Sequence, residues 1–168
     1  MSRKSTRHMV ADYLTAANIP GIGAVYASPP KISGTKDAFA NIPTGTPSGS
    51  VIYVELPEDK EIRSGFGGPV SGKKTITHGL HLHLLFRSNQ PAAEDAMDDH
   101  DDIHEALLAL IRADRTLGST VASPYPIFQA GEGLAGITSG TGFPKISGTG
   151  ATHIWTTIAF DAVEEITS

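Results

Sequence analysis

The chain contains no cysteine. Disulfide scaffolds, thiolate zinc centres and thiol nucleophiles are therefore excluded. It also has no apolar run approaching the ~20 residues that a membrane-spanning helix needs. Its first residues, MSRKSTRH, lead into an amphipathic stretch rather than the apolar core of a signal peptide. A soluble protein made in a cytoplasm, with no membrane partner, is the expectation. Positive charge is in short supply too. Thirteen Lys and Arg against 18 Asp and Glu leave a net charge of -5 and a pI of about 5.7. Gripping nucleic-acid phosphates takes clustered Lys and Arg. The one basic cluster, Arg3, Lys4 and Arg7, is expected at a frayed N-terminus.

What is present is enough for one domain with a real core: 168 residues, 39% hydrophobic and 18% charged. Eighteen glycines and 11 prolines predict long loops between few elements. The longest are expected at about 27–50, 57–74 and 134–150 of a single domain over residues 1–168.

Apolar residues at Met9, Val10, Tyr13, Leu14 and Ala17 fit one helix face, with Ser5 or Thr6 as cap and Asn18 as stop. GIGAVY (21–26) and VIYVEL (51–56) read as strands. The next strand runs from about Thr75 to Arg87. The strongest helix spans Pro91 to Leu117. Glu94, Asp95, Asp98 and Asp99 crowd its first turns and Arg112 and Arg115 its last, as the helix dipole favours. Met97, Ile103, Leu107, Leu110 and Ile111 form its buried stripe. Short strand character returns within YPIFQAGEG (125–133), and HIWTTIAFDAVEEI (153–166) closes the chain as a long strand. The order is α-β-β-β-α-β-β. It predicts an α+β fold, a mainly antiparallel sheet with both helices on one face.

THGLHLHLLF (77–86) carries three of the seven histidines. Alternation puts Ile76, His78, Leu80, Leu82, Leu84 and Phe86 on one face, and Thr75, Thr77, Gly79, His81, His83 and Leu85 on the other. The first face should meet the helices, with His78 at the sheet's edge. His81 and His83 have the spacing of strand-borne metal ligands but need a third donor. His100 and His104 share a helical face with Leu107 and Ile111. That places them across the sheet, and HDDIH lacks the Glu of the H-E-x-x-H pattern. No metal and no cofactor are expected, with His81 and His83 the nearest to a ligand pair.

GFGGPVSGKK (65–74) is no phosphate loop, because Lys74 stands where Ser or Thr is required and a strand follows instead of a helix. GEGLAG (131–136) is not followed by a helix either. PKISGT occurs twice, at 30–35 and 144–149, without matching flanks, and reads as two loops of like composition. No G-x-S-x-G elbow is present and no residues fall into nucleophile, base and oxyanion-donor roles. No enzyme is expected.

Taken together, several stretches carry a resemblance: GIGAVYASPP, GFGGPVSGKKTITHGLHLHLLFRS, the acidic helix ending IRADRTLGST, IFQAGEG and the final AVEEIT. The chain resembles the tail terminator (tail completion, head-tail joining) proteins of long-tailed, non-contractile bacteriophages, those of actinobacteria above all. The likeness covers most of the chain and is thinnest at 33–50 and 136–150. It implies a structural virion protein of the neck, assembled in the host cytoplasm as a homohexameric ring on the tail-tube protein. Such a ring ends tube growth and joins the tail to the head-tail connector or stopper protein. DNA passes through the lumen without sequence-specific binding. Another neck component of the same architecture is the alternative, and a small His-metal-dependent enzyme a distant third. Interface candidates are Arg63, Lys73 and Lys74 at the ends of one charged hairpin, Phe66 within a glycine run, and Phe39 and Ile42 in the first long loop. Asp98, Asp99, Asp101 and Asp102 are lumen candidates.

Overall fold

The computed structural model describes residues 2–29, 48–64, 73–90, 92–118, 128–130, 136–142, 144–146 and 151–167. Its elements are α1 (Arg3–Ala17), β1 (Ile22–Tyr26), β2 (Ser48–Glu55), β3 (Asp59–Ser64), β4 (Lys73–Ser88), α2 (Ala93–Ala113), β5 (Phe128–Ala130), β6 (Ile137–Thr141), β7 (Lys145–Ile146) and β8 (Thr152–Thr167). The class is α+β, as the sequence predicts. Two 16-residue strands, β4 and β8, form the spine, pairing antiparallel from Lys73↔Thr167 to Ser88↔Thr152. On the outer side of β4, β2 covers residues 81–88 and β3 covers 73–78. On the outer side of β8, β5, β6 and β7 follow one another. β1 adds to β2 in parallel, so the sheet is mixed.

Three strands lie inside stretches whose composition reads as loop. β3 takes up the charged run after Pro57, and β6 and β7 fall within 134–150. None has the apolar alternation that announces a strand. Their backbones are recruited by the free edges of β4 and β8, which need partners for their N–H and C=O groups. Gly79 of β4 lies against the corner between β2 and β3. Its N–H donates to the Glu58 carbonyl at 3.0 Å, and a Cβ there would lie 3.1 Å from Glu58 Cγ.

The even face of β4 makes the core. Leu80, Leu82, Leu84 and Phe86 pack with Ile52 and Val54 of β2, Ile154, Ile158 and Phe160 of β8, Val10 and Leu14 of α1, and Ile103, Leu107 and Ile111 of α2. Both helices therefore share one face, and Tyr13 Oη donates to the Leu110 carbonyl between them at 3.4 Å. Burial pushes the Tyr13 phenol up, helped by the nearby Asp114 carboxylate.

The helix ends differ from expectation. α1 starts at Arg3 rather than Thr6, with Ser2 and Ser5 in a reciprocal capping box, and Asn18 ends it at φ 47°. Its basic residues are not a frayed tail: Arg3 donates to the Leu56 carbonyl and pairs with Asp59 at 3.0 Å. α2 stops at Ala113, because the Asp114 carboxylate accepts from Thr116 N, Thr116 Oγ1 and Gly118 N and draws the chain into a turn. Pro91 lies outside the described residues.

His78 is the clearest correction. It is not at an edge but 2% exposed, because β3 covers that end of β4. Its Nδ1 meets Asp59 Oδ1 at 2.8 Å and its Nε2 meets Glu164 Oε2 at 3.1 Å. Glu164, opposite Ile76, sits diagonally from His78 on the same face.

Candidate functional site

The opposite face of the sheet is covered by no helix among the described residues. Register dictates what stands on it. Tyr53 lies opposite His83 and His83 opposite Thr157; Glu55 lies opposite His81; Leu85 lies opposite Trp155. Alternation alone sends all of these side chains outward together.

His83 is the centre of the cluster. Its ring stacks on Tyr53 at 4.4 Å between centroids, and the edges of His81 and Trp155 approach at 6.0 and 5.8 Å. Nε2 lies 2.7 Å from Glu55 Oε2. Nδ1 lies 3.2 Å from Trp155 Nε1 and 3.1 Å from Thr157 Oγ1. An indole N–H can only donate, so Nδ1 is an acceptor and the ring proton sits on Nε2, donated to Glu55. His83 is only 7% exposed, whereas Trp155, the single tryptophan, is 52% exposed. Burial, with the Glu55 charge second, raises the Tyr53 phenol above its ordinary value. Beside Trp155 a cleft of about 480 Å³ opens toward Leu85, Gly140, Lys145 and Thr157.

Thr157, His83 and Glu55 stand in the hydrogen-bond order of a hydroxyl, base and orienting carboxylate. The base's lone pair is contested, however: the Trp155 N–H already points at Nδ1. Thr157 also sits in a strand paired with β4 on one side and β6 on the other, so its backbone N–H groups serve the ladder rather than an oxyanion. What the cluster offers instead is a set of donors. Glu55, His81 and His83 present ligand atoms all within 4.8 Å of one another. The sequence singles out the two histidines; the third member, Glu55, follows only from the β2–β4 register, with no local signal.

The helical histidines are on the far side, as expected. His100 is fully buried, bonded to Thr156 Oγ1 at 2.8 Å and Asp101 Oδ1 at 2.9 Å, and packed edge-on to Phe86. His104 stacks on it at 6.2 Å. Burial, and then the neighbouring His100, hold the His104 imidazole below its usual range, and its buried Nε2 has no hydrogen-bond partner among the described residues.

Arg63 and Lys74 are cross-strand partners at the mouth of the β3–β4 pair, and both converge on Glu61 Oε1, at 2.7 and 3.6 Å. The Arg63 hydrogen bond, then Lys74, hold the exposed Glu61 carboxyl below the usual carboxylate range. Lys73 pairs through its backbone at the same end. Phe39, Ile42 and Phe66 lie outside the described residues. Asp98, Asp101 and Asp102 are exposed on the outer face of α2. Asp99 is not: its Oδ2 accepts from Ser48 Oγ and Gln90 Nε2, both at 2.9 Å, tying α2 to the start of β2.

The fold and this face define a class: an α+β domain whose sheet is sealed by two helices on one side and shows an aromatic, imidazole-bearing surface on the other. No protein-family model and no curated protein matches the chain. No helix among the described residues is long and apolar enough to cross a membrane.

Proposed function

We propose that this protein is a structural component of a bacteriophage neck, a tail terminator that forms a ring on the tail tube, ends its growth and joins it to the head connector. The observation that carries the reading is Trp155, half exposed beside Tyr53, Leu85 and His83 on the face that no helix covers among the described residues. A large aromatic in a partly apolar patch favours burial against a partner. When one such patch meets a different surface of the next copy and the rotation closes, the product is a ring. The resemblance of the sequence motifs supplies the number six and the tube as the platform.

The outer face of α2 supports the conduit role. Exposed Asp98, Asp101 and Asp102 follow Glu94 and Asp95 on this helix. Carboxylates facing a lumen repel phosphates and let DNA slide, since each neutralised phosphate would add affinity. Arg63 and Lys74, held by one carboxylate between them, retain a positive balance for a neighbour's acid groups. The place of action is then the virion neck, and catalysis has no part in it.

Light scattering on a sizing column tests the proposal, with and without purified tail-tube protein. Ring-sized assemblies are expected, at the latest when tube protein is added. A chain that stays monomeric in its presence would refute the reading.

A further inference from the structure

We propose that Glu55, His81 and His83 form a binding site for a divalent transition-metal ion of the zinc type. The site rests on the free chain's geometry and does not depend on the assembly reading. Two imidazole nitrogens and one carboxylate oxygen suit zinc, nickel or copper, whereas magnesium and calcium take oxygen-only sets. Two histidines and a carboxylate with a fourth position open to water is a zinc ligand set.

The three donors are brought together by pairing rather than by chance proximity. His81 and His83 point outward from alternate positions of β4, and Glu55 is directly opposite His81 on β2. Their ligand atoms lie within 4.8 Å of one another. Zinc at roughly 2.0–2.1 Å from each donor needs donors about 3.3–3.5 Å apart. Glu55 Oε2 already lies 2.7 Å from His83 Nε2, so this 45% exposed side chain need only open slightly, and the half-buried His81 ring turns in to complete the set. His83 does not need to move, because Tyr53 stacks on its face and Trp155 and Thr157 hold its Nδ1 edge. One ligand is thus preorganised and two are adjustable.

Occupancy has a built-in reporter. In the free chain the His83 proton lies on Nε2, facing Glu55. An ion bound at Nε2 takes that position, so the neutral ring carries its proton on Nδ1 instead. The Thr157 oxygen, 3.1 Å away, accepts it, as ligating histidines require of their other nitrogen. The Trp155 indole, 3.2 Å away, loses its acceptor. The proton on Nε2 passes to solvent and one from solvent takes its place on Nδ1, so the ring stays neutral and no net proton is released. Because Trp155 is the only tryptophan, this rearrangement is visible in the protein's intrinsic fluorescence.

The experiment is a zinc chloride titration of the full chain, followed by tryptophan emission and calorimetry, with magnesium chloride in parallel. Expected are one zinc-dependent emission change saturating at one equivalent, its reversal by chelator and no response to magnesium. Glu55→Gln and His81→Ala should each weaken zinc binding more than tenfold, and Thr157→Val by roughly 10-fold or more. All three are checked for parental circular dichroism, and if one variant unfolds the others decide. Unchanged emission at saturating zinc overturns the proposal. So does an equal response to magnesium, or a titration that Glu55→Gln and His81→Ala leave unaltered, with zinc then on other histidines.

Discussion

A double-mutant cycle at His78 and Glu164 probes the buried polar spine of the sheet. His78 bridges Asp59 and Glu164 at 2.8 and 3.1 Å, and Arg3 extends the chain of contacts to Asp59 at 3.0 Å. His78 and Glu164 are each only 2% exposed. Removing one partner of a buried, hydrogen-bonded pair costs about 3–5 kcal/mol, since the other keeps its desolvation cost. A net hydrogen bond to a charged group contributes about 1.5–3 kcal/mol. His78→Leu should therefore destabilise by about 3 kcal/mol and Glu164→Gln by about 2 kcal/mol. Against a domain stability of roughly 5–15 kcal/mol, either change is plain in urea denaturation at neutral pH. The double variant should lose less than the sum, with a coupling of about 1.5–3 kcal/mol. High salt should leave the coupling largely intact, because buried pairs are poorly screened. A coupling below about 0.5 kcal/mol, within the scatter of independent sites, would show that the imidazole and the carboxylate do not bond in the core.

Trp155→Ala should keep the parental fold by circular dichroism while reducing self-association in light scattering; assembly at parental strength would remove the open face from the interface. His104 sets a pH dependence. Its folded value is depressed by burial and by His100, so the unfolded chain takes up a proton that the folded one resists. Its contribution is intact above the unfolded value of about 6.5 and is lost as pH falls through that value toward the lower folded one. His104→Leu should therefore flatten the fall of the melting temperature as pH drops below about 6.5. Asp114 acts in a lower window. The Thr116 hydrogen bond holds its carboxyl below the usual range, so its support for the turn after α2 is present above about pH 4 and fades below. Asp114→Ala should cost about 1 kcal/mol at pH 7, discounted for its contact with solvent, and progressively less as pH falls below about 4. Gly21→Ala should destabilise by about 1–3 kcal/mol in thermal melts, because Gly21 sits at φ +86° and a Cβ would lie 2.7 Å from Ile103 Cδ1.

The sequence by itself determined the α+β class, the two helices and the two faces of β4. Each rests on periodicity: 3.6 in the helices and two in THGLHLHLLF, which a chain expresses locally because burial rewards it residue by residue. The separation of His81 and His83 from His100 and His104 followed from the same alternation. Tertiary structure alone decided the rest. β3, β6 and β7 exist because long neighbours offer unpaired edges, which no local pattern records. His78 is interior because β3 covers it, and Asp99 is engaged because Ser48 and Gln90 reach it. Glu55 joins two histidines 26 and 28 positions away only through strand register. Pairing between distant strands is settled by the global minimum of packing and hydrogen bonding, so the sites it creates are invisible until the sheet is assembled.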